Sequence, residues 1–193
     1  MKMHVISFPC FMQGEESFIS ELIDAGIDVF HLRKPHCDIN DYRKLLDGIP
    51  DKYLSRIVIH EHFELFHSYP LMGIHLNGRC NTIPDDFHGS LSKSCHSLKE
   101  IESNITLYDF VFLSPVFNSI SKPGYLSNFS SEQLDEAAAN GVINEKVIAL
   151  GGINVLNHSE LAKYHFGGFA VLGDIWNNIQ SPDFNAYLKQ YFI

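Results

Sequence analysis

The sequence has no C-x-x-C pair, no long apolar run, no Ser/Gly-rich linker and no excess of basic charge. Its four cysteines stand apart at positions 10, 37, 80 and 95. Without paired spacing or an export signal they read as free thiols in a reducing compartment, and zinc fingers and disulfide scaffolds are poor readings. No apolar stretch reaches the roughly 18 residues that a membrane helix needs. The opening MKMHVISFPCF has one Lys, a short apolar stretch and no small-residue cleavage site. It reads as a first strand rather than a signal peptide, so a cytoplasmic chain is expected. Fourteen Lys and Arg face 23 Asp and Glu, a net charge of −9. That argues against a nucleic-acid partner and leaves room for a local cationic pocket for a phosphate.

What is present is an ordinary globular composition, with 15 Phe and 8 Tyr to fill a core over 193 residues. Short apolar runs alternate with helix-like stretches. The strand candidates are 4–8, 29–32, 57–60, 73–76, 91–94, 110–113, 147–150 and 169–172. The helix or turn candidates are 16–25, 39–46, 61–69, 85–88, 98–103, 132–140, 159–164 and 184–192. Ala25-Gly26 and Asn140-Gly141 carry helix-end chemistry, and Asp38 and Asn40 stand where a helix cap belongs. The strands are continuous apolar runs, as expected when both faces are buried. Eight such units, roughly 24 residues each, predict a single compact α/β domain over 1–193, a (β/α)8 TIM barrel. A doubly wound sheet is the competitor. It usually carries a Gly-rich turn after strand one, and here Pro9-Cys10-Phe11-Met12-Gln13-Gly14 has no G-x-G-x-x-G.

Barrel enzymes build their sites just after the strands. Strand two is followed by His31-Leu32-Arg33-Lys34-Pro35-His36, where Arg33 can fork onto a phosphate and Lys34 can add a point charge. Strand three is followed by His60-Glu61-His62. Glu61 suits Mg²⁺ shared with substrate phosphates, the two histidines suit a transition metal, and Glu61 would equally serve as the first residue of a helix. His75, inside strand four, reads as a barrel-lining histidine. Ser94 follows strand five, where Ser97 and Glu100 form a capping pattern. No G-x-S-x-G elbow supports a serine nucleophile. The long stretch after strand six holds Ser119, Ser121, Lys122 and Gly124, which can wrap a diphosphate. Gly151-Gly152 after strand seven and Gly173 after strand eight can bring backbone N–H groups close to an anion.

These strand ends together resemble the thiamine phosphate synthase and TenI-like thiazole tautomerase superfamily. The likeness runs from HLRK to GFAVLGDI and is sharpest in DFVFLSPVFNSISKPGY and VIALGGIN. It implies a transferase of thiamine biosynthesis that joins hydroxymethylpyrimidine diphosphate to thiazole phosphate and releases diphosphate. It implies Mg²⁺ as cofactor, small phosphate and diphosphate ligands, and a homodimer as one open oligomeric form. Arg33 and Lys122 take the catalytic positions in this resemblance. His31, Lys34, His60, Ser94, Ser119, Ser121, Gly151, Gly152 and Gly173 take substrate-binding ones, and Glu61 takes the metal position. Several positions depart from the pattern. His31 replaces Gln, Pro35 replaces Lys, His60-Glu61 replaces Asn-Asp, Cys80 falls near a second metal Asp, and Gly173 replaces Ser. The tautomerase histidine falls at Pro115. A non-catalytic phosphate-binding paralogue, a tautomerase, and a hydrolase using His60, His62, His96 and Asp174 are the alternatives.

Overall fold

The computed structural model describes residues 1–118, 127 and 129–192. Eight parallel strands close on themselves in sequence order: β1 Lys2–Ile6, β2 Val29–Leu32, β3 Ile57–Ile59, β4 Gly73–Leu76, β5 Ser90–Cys95, β6 Phe110–Leu113, β7 Val147–Leu150 and β8 Gly168–Val171. The ring shuts where Met3 pairs with Phe169 and His4 with Ala170. The expected barrel is therefore the observed one, and the open-sheet alternative is set aside. No helix among the described residues is long and apolar enough to cross a membrane.

The helices are α1 Glu15–Asp24, α2 Ile39–Asp47, α3 Asp51–Leu54, α4 Leu98–Asn104, α5 Ser131–Ala139, α6 Gly173–Asn178 and α7 Phe184–Lys189. Their ends follow the local chemistry. The Asp38 side chain accepts from the Asn40 N–H and caps α2. Ser130 and Gln133 close a reciprocal capping box on α5. Gly26 follows α1 with φ +117°, a conformation that glycine adopts without cost.

Some of the stretches read as helix or turn are not α-helical. The helix read over 61–69 is a 3₁₀ segment, Phe63–His67, because His62 turns left-handed at φ 53° and detaches Glu61 from it. Residues 85–88 form a turn around Asp86, also left-handed at φ 58°. The last helix stops at Lys189 and tightens into a 3₁₀ turn, Gln190–Phe192.

Alternation along the strands divides the core in two. Outward-facing residues such as Val5, Phe30, Ile59, Val111 and Phe169 join the large layer under the helices. Ile6, Phe110, Phe112, Ile148 and Ala170 form a separate cluster inside the barrel. Beside this cluster the interior carries buried polar side chains, His4, His31, His60, His75 and Ser92. The polar half comes from β1 to β5, and the apolar half from β6 to β8 together with Ile6 of β1.

Candidate active site

The histidines of the polar half form a continuous chain. His4 Nδ1 lies 2.9 Å from His31 Nε2, and His31 Nδ1 lies 3.0 Å from His60 Nε2. His60 stacks on His75, with ring centroids 4.3 Å apart. His75 in turn meets Ser92 Oγ and Ser94 Oγ, each at 2.9 Å. Burial holds these imidazoles neutral: His4 and His75 are each pushed down to about 3, and His31 and His60 are lowered as well. A neutral imidazole is one donor and one acceptor, so the order of N–H and lone pair passes along the chain. Only His4 Nε2, at the closed end, lacks a partner among the buried side-chain polar atoms described.

His31, His60 and His75 also place one nitrogen each within 4.8 Å of one another, a grouping able to hold a transition metal. His31 and His60 turn a nitrogen to each other, and both nitrogens of His75 are taken by Ser92 and Ser94, so the arrangement as it stands is a hydrogen-bonded core. His75 is thus the barrel-lining histidine that its apolar strand predicts.

Above the chain a cavity of about 780 Å³ opens at the C-terminal ends of the strands. Arg33, His60, Arg79, Ser94, His96 and Ser114 line its polar wall, and Ile6, Phe112, Leu150 and Leu172 its apolar wall. The main chain of Arg33 is fixed by Ser7, whose hydroxyl donates to the Arg33 carbonyl and accepts from its N–H, both at 2.9 Å. Its guanidinium is left at the mouth. His96 Nδ1 reaches the Ser114 carbonyl at 3.1 Å. The wall therefore offers cations and hydroxyls beside an apolar surface.

Several expected site residues have other work. Lys34 does not face the cavity. Its side chain is fully buried and turned toward β1, where the ammonium pairs with Glu15 and donates to the carbonyls of Phe8 and Cys10, each at 2.8 Å. Burial lowers the Lys34 pKa and raises that of Glu15, but three acceptors around one nitrogen are satisfied only by the ammonium.

Gly151 and Gly152 have φ of +99° and +69° and sit beneath the segment leaving β6. A Cβ on Gly152 would lie 2.4 Å from the Asn118 carbonyl oxygen, and one on Gly151 would lie 2.8 Å from Pro115. Their glycine character is accounted for by this close approach. Gly173 is the first residue of the short α6. Ser119, Ser121 and Lys122 lie outside the described residues. His31 lies beneath the cavity within the chain, whereas His60 and Ser94 reach the cavity wall.

Glu61 is buried and its carboxylate is occupied. Oε2 accepts from the Tyr42 hydroxyl at 2.7 Å and the Lys34 N–H at 3.2 Å, and Oε1 accepts from Arg79 Nη2 at 3.2 Å. Cys80, beside Arg79, is a thiol raised by burial. The hydrolase constellation does not converge: Asp174 accepts from the hydroxyls of Tyr187 and Tyr191, and the His62 ring reaches the Cys37 carbonyl. Arg79 is the site residue that sequence reasoning underweighted. Asn77-Gly78 is a local turn signal, but the contact of Arg79 with Glu61, 18 positions away, has none.

Comparison with known proteins identifies the family. The family model described as thiamine monophosphate synthase matches residues 9–175. A thiamine-phosphate synthase of Staphylococcus carnosus is 23% identical over 189 residues, covering 92% of this chain and 88% of that protein. The crystal structure of a thiamine phosphate pyrophosphorylase from Bacteroides thetaiotaomicron superposes with a TM-score of 0.90 at 40% identity, covering 98% of this chain and 95% of the other. A thiamine phosphate pyrophosphorylase from Pyrococcus furiosus shares the fold, with a TM-score of 0.73 at 17% identity over 98% and 92% of the two chains. With a family model spanning most of its length, the chain belongs to the thiamine monophosphate synthase family.

Proposed function

We propose that this protein is a transferase that couples hydroxymethylpyrimidine diphosphate to thiazole phosphate, giving thiamine phosphate and diphosphate. The observation that carries this reading is the mouth cavity itself, where two arginines and two serines face an apolar wall on a barrel of this family. In the reaction the C–O bond between the pyrimidine methylene and the diphosphate breaks, and its electron pair leaves on the diphosphate oxygen. The lone pair of the thiazole nitrogen then closes the C–N bond. No proton has to move at either reacting atom. The protein's work is to hold the two substrates in line, receive the charge that builds on the leaving oxygen, and keep water from the cationic carbon.

Arg33, fixed through its own backbone, suits a forked grip on the diphosphate. Ser94 Oγ, held by His75 Nε2, sits where a ring nitrogen or phosphate oxygen needs a partner. His60 offers its cavity-side edge, and its ring orientation is set from below by His31. Ser119, Ser121 and Lys122 are proposed as the remaining diphosphate contacts, with Lys122 neutralising the leaving group. Lys122→Ala is then expected to lower the maximal rate by about two orders of magnitude, the scale of losing one preorganised electrostatic group.

The resemblance also implies Mg²⁺, which would shield the leaving diphosphate when bound. The donor set here does not suit it. Mg²⁺ asks for near-octahedral oxygen ligands, and Glu61 is a single carboxylate already accepting from three donors, one of them a guanidinium. The neighbouring Cys80 offers sulfur, a poor ligand for a hard ion.

The test is incubation of the purified protein with both phosphorylated substrates. Formation of thiamine phosphate supports the reading. Tight diphosphate binding without product would instead mark a non-catalytic phosphate-binding paralogue.

A further inference from the structure

We propose that Arg79, seated on Glu61, supplies the positive charge that holds diphosphate in the mouth cavity, so that diphosphate binds without a divalent ion. The inference rests on the reading of this cavity as a diphosphate site and goes beyond it by assigning the source of the compensating charge.

The cavity wall contains Arg33 and Arg79, and no carboxylate among its described residues; Lys93 turns its ammonium away, to Asn104 Oδ1 at 3.1 Å and over the Tyr108 ring. The site is therefore built with an excess of positive charge, in a protein whose net charge is −9. Sites that take polyanions through a divalent ion need carboxylates to hold that ion. The wall lacks them, and the nearest buried acid, Glu61, has a different partner.

The Glu61–Arg79 pair is asymmetric in a way that fits this role. The Glu61 side chain is 8% exposed and that of Arg79 is 43% exposed. The acid is anchored below by Tyr42 and the Lys34 N–H. It grips one edge of the guanidinium through Nη2. Among the described residues, no other acceptor engages Arg79's side chain. The planar fork has five N–H donors, and the Glu61 contact leaves the others available to a second anion. A cation bound to Glu61 Oε1 would stand against a fixed positive charge. Occupancy by guanidinium and by a metal ion are thus in competition, and the geometry has settled on guanidinium. The Asn77 side chain holds the turn: its Oδ1 accepts from the Arg79 N–H at 3.0 Å and the Cys80 N–H at 3.2 Å. This fixes the backbone from which the arginine reaches back to Glu61.

The experiment is calorimetric titration of the purified protein with inorganic diphosphate, once in EDTA and once in saturating Mg²⁺. The expected result is binding in EDTA, with Mg²⁺ changing the affinity by less than about threefold. In EDTA, Arg79→Ala is expected to weaken binding by roughly ten- to a hundredfold, the range for a lost hydrogen bond to a charged group. Arg79→Lys, which keeps the charge and loses the fork, should fall between. Thermal melting establishes that each variant folds. Should Arg79→Ala fail to do so, Arg79→Lys and the wild-type magnesium comparison still decide the question.

Wild-type binding that requires Mg²⁺ overturns the inference and leaves the coupling reading standing. Binding in EDTA that Arg79→Ala leaves unchanged also overturns it. No diphosphate binding under either condition overturns the coupling reading, and the assignment of Arg79 with it.

Discussion

His31 Nδ1 stands 3.0 Å from His60 Nε2, and this contact joins the buried base of the barrel to the floor of its mouth. His60 is the last link of the chain that begins at His4, and it lies against the cavity. The edge that His60 presents is therefore not its own choice. With His4 donating to His31 and His31 to His60, Nδ1–H of His60 faces outward. With the chain reversed, its lone pair does. A polar core of this kind costs burial of several polar atoms and returns a fixed orientation at the site.

The first prediction concerns that cost. His31→Leu removes the middle link and leaves His4 Nδ1 and His60 Nε2 without partners. Each orphaned buried group costs about 1–3 kcal/mol, so a loss of roughly 2–5 kcal/mol is expected in denaturant unfolding. A change under about 0.5 kcal/mol would mean that the chain does not form.

The second concerns pH. In the folded protein His4 and His75 are lowered to about 3 from an ordinary value of 6.5, with burial as the main cause. Between those values the unfolded chain binds protons that the folded chain refuses, so unfolding is favoured as pH falls. Stability is complete above about pH 6.5 and is lost progressively toward pH 3. The slope is about 1.4 kcal/mol per pH unit for each histidine. Unfolding midpoints measured from pH 7 to pH 4 should decline steadily, and a flat profile would contradict the buried neutral assignment.

The third separates Lys34 from substrate binding. Breaking a fully buried ion pair by removing one partner typically costs about 3–5 kcal/mol. Lys34→Met should destabilise the protein on that scale, and Lys34→Met combined with Glu15→Leu should recover much of the loss. Had Lys34 been a phosphate ligand, the double variant would regain stability but not diphosphate affinity. Titration of the refolded double variant should find affinity close to that of the wild type.

The fourth concerns the crossing of the β7 and β6 loops. Gly152→Ala places a methyl group 2.4 Å from the Asn118 carbonyl in a left-handed backbone. The segment carrying Phe117 and Asn118 must then shift. A stability loss of about 1–3 kcal/mol is expected, the scale of a strained backbone position, together with reduced coupling. Unchanged melting and unchanged activity would show that the contact is slack.

The fold was legible because its signals are local and repeated. Four of the eight strand runs, 29–32, 73–76, 110–113 and 147–150, match the observed strands residue for residue, and Asp38 caps α2 as its side chain predicts. The site was legible only in part. Arg33 reaches the cavity because it lies just past β2, and Ser94 because it lies near the end of β5 on the same inward face as Ser92. Lys34 follows Arg33 by one position and therefore points the opposite way, into a pocket whose acid, Glu15, lies 19 positions earlier. Glu61 was read as a Mg²⁺ ligand or, alternatively, as the first residue of a helix. Tyr42, Arg79 and the left-handed His62 all act on it from distant or non-helical positions that no local pattern carries.

The most direct measurement is the stoichiometry of turnover. Purified protein supplied with hydroxymethylpyrimidine diphosphate and thiazole phosphate should release diphosphate and thiamine phosphate in equal amounts. Arg33→Lys should raise the Michaelis constant for the diphosphate substrate by about tenfold, since a point charge replaces a fork. Diphosphate released without thiamine phosphate, or no release at all from protein that binds both substrates, would contradict the account.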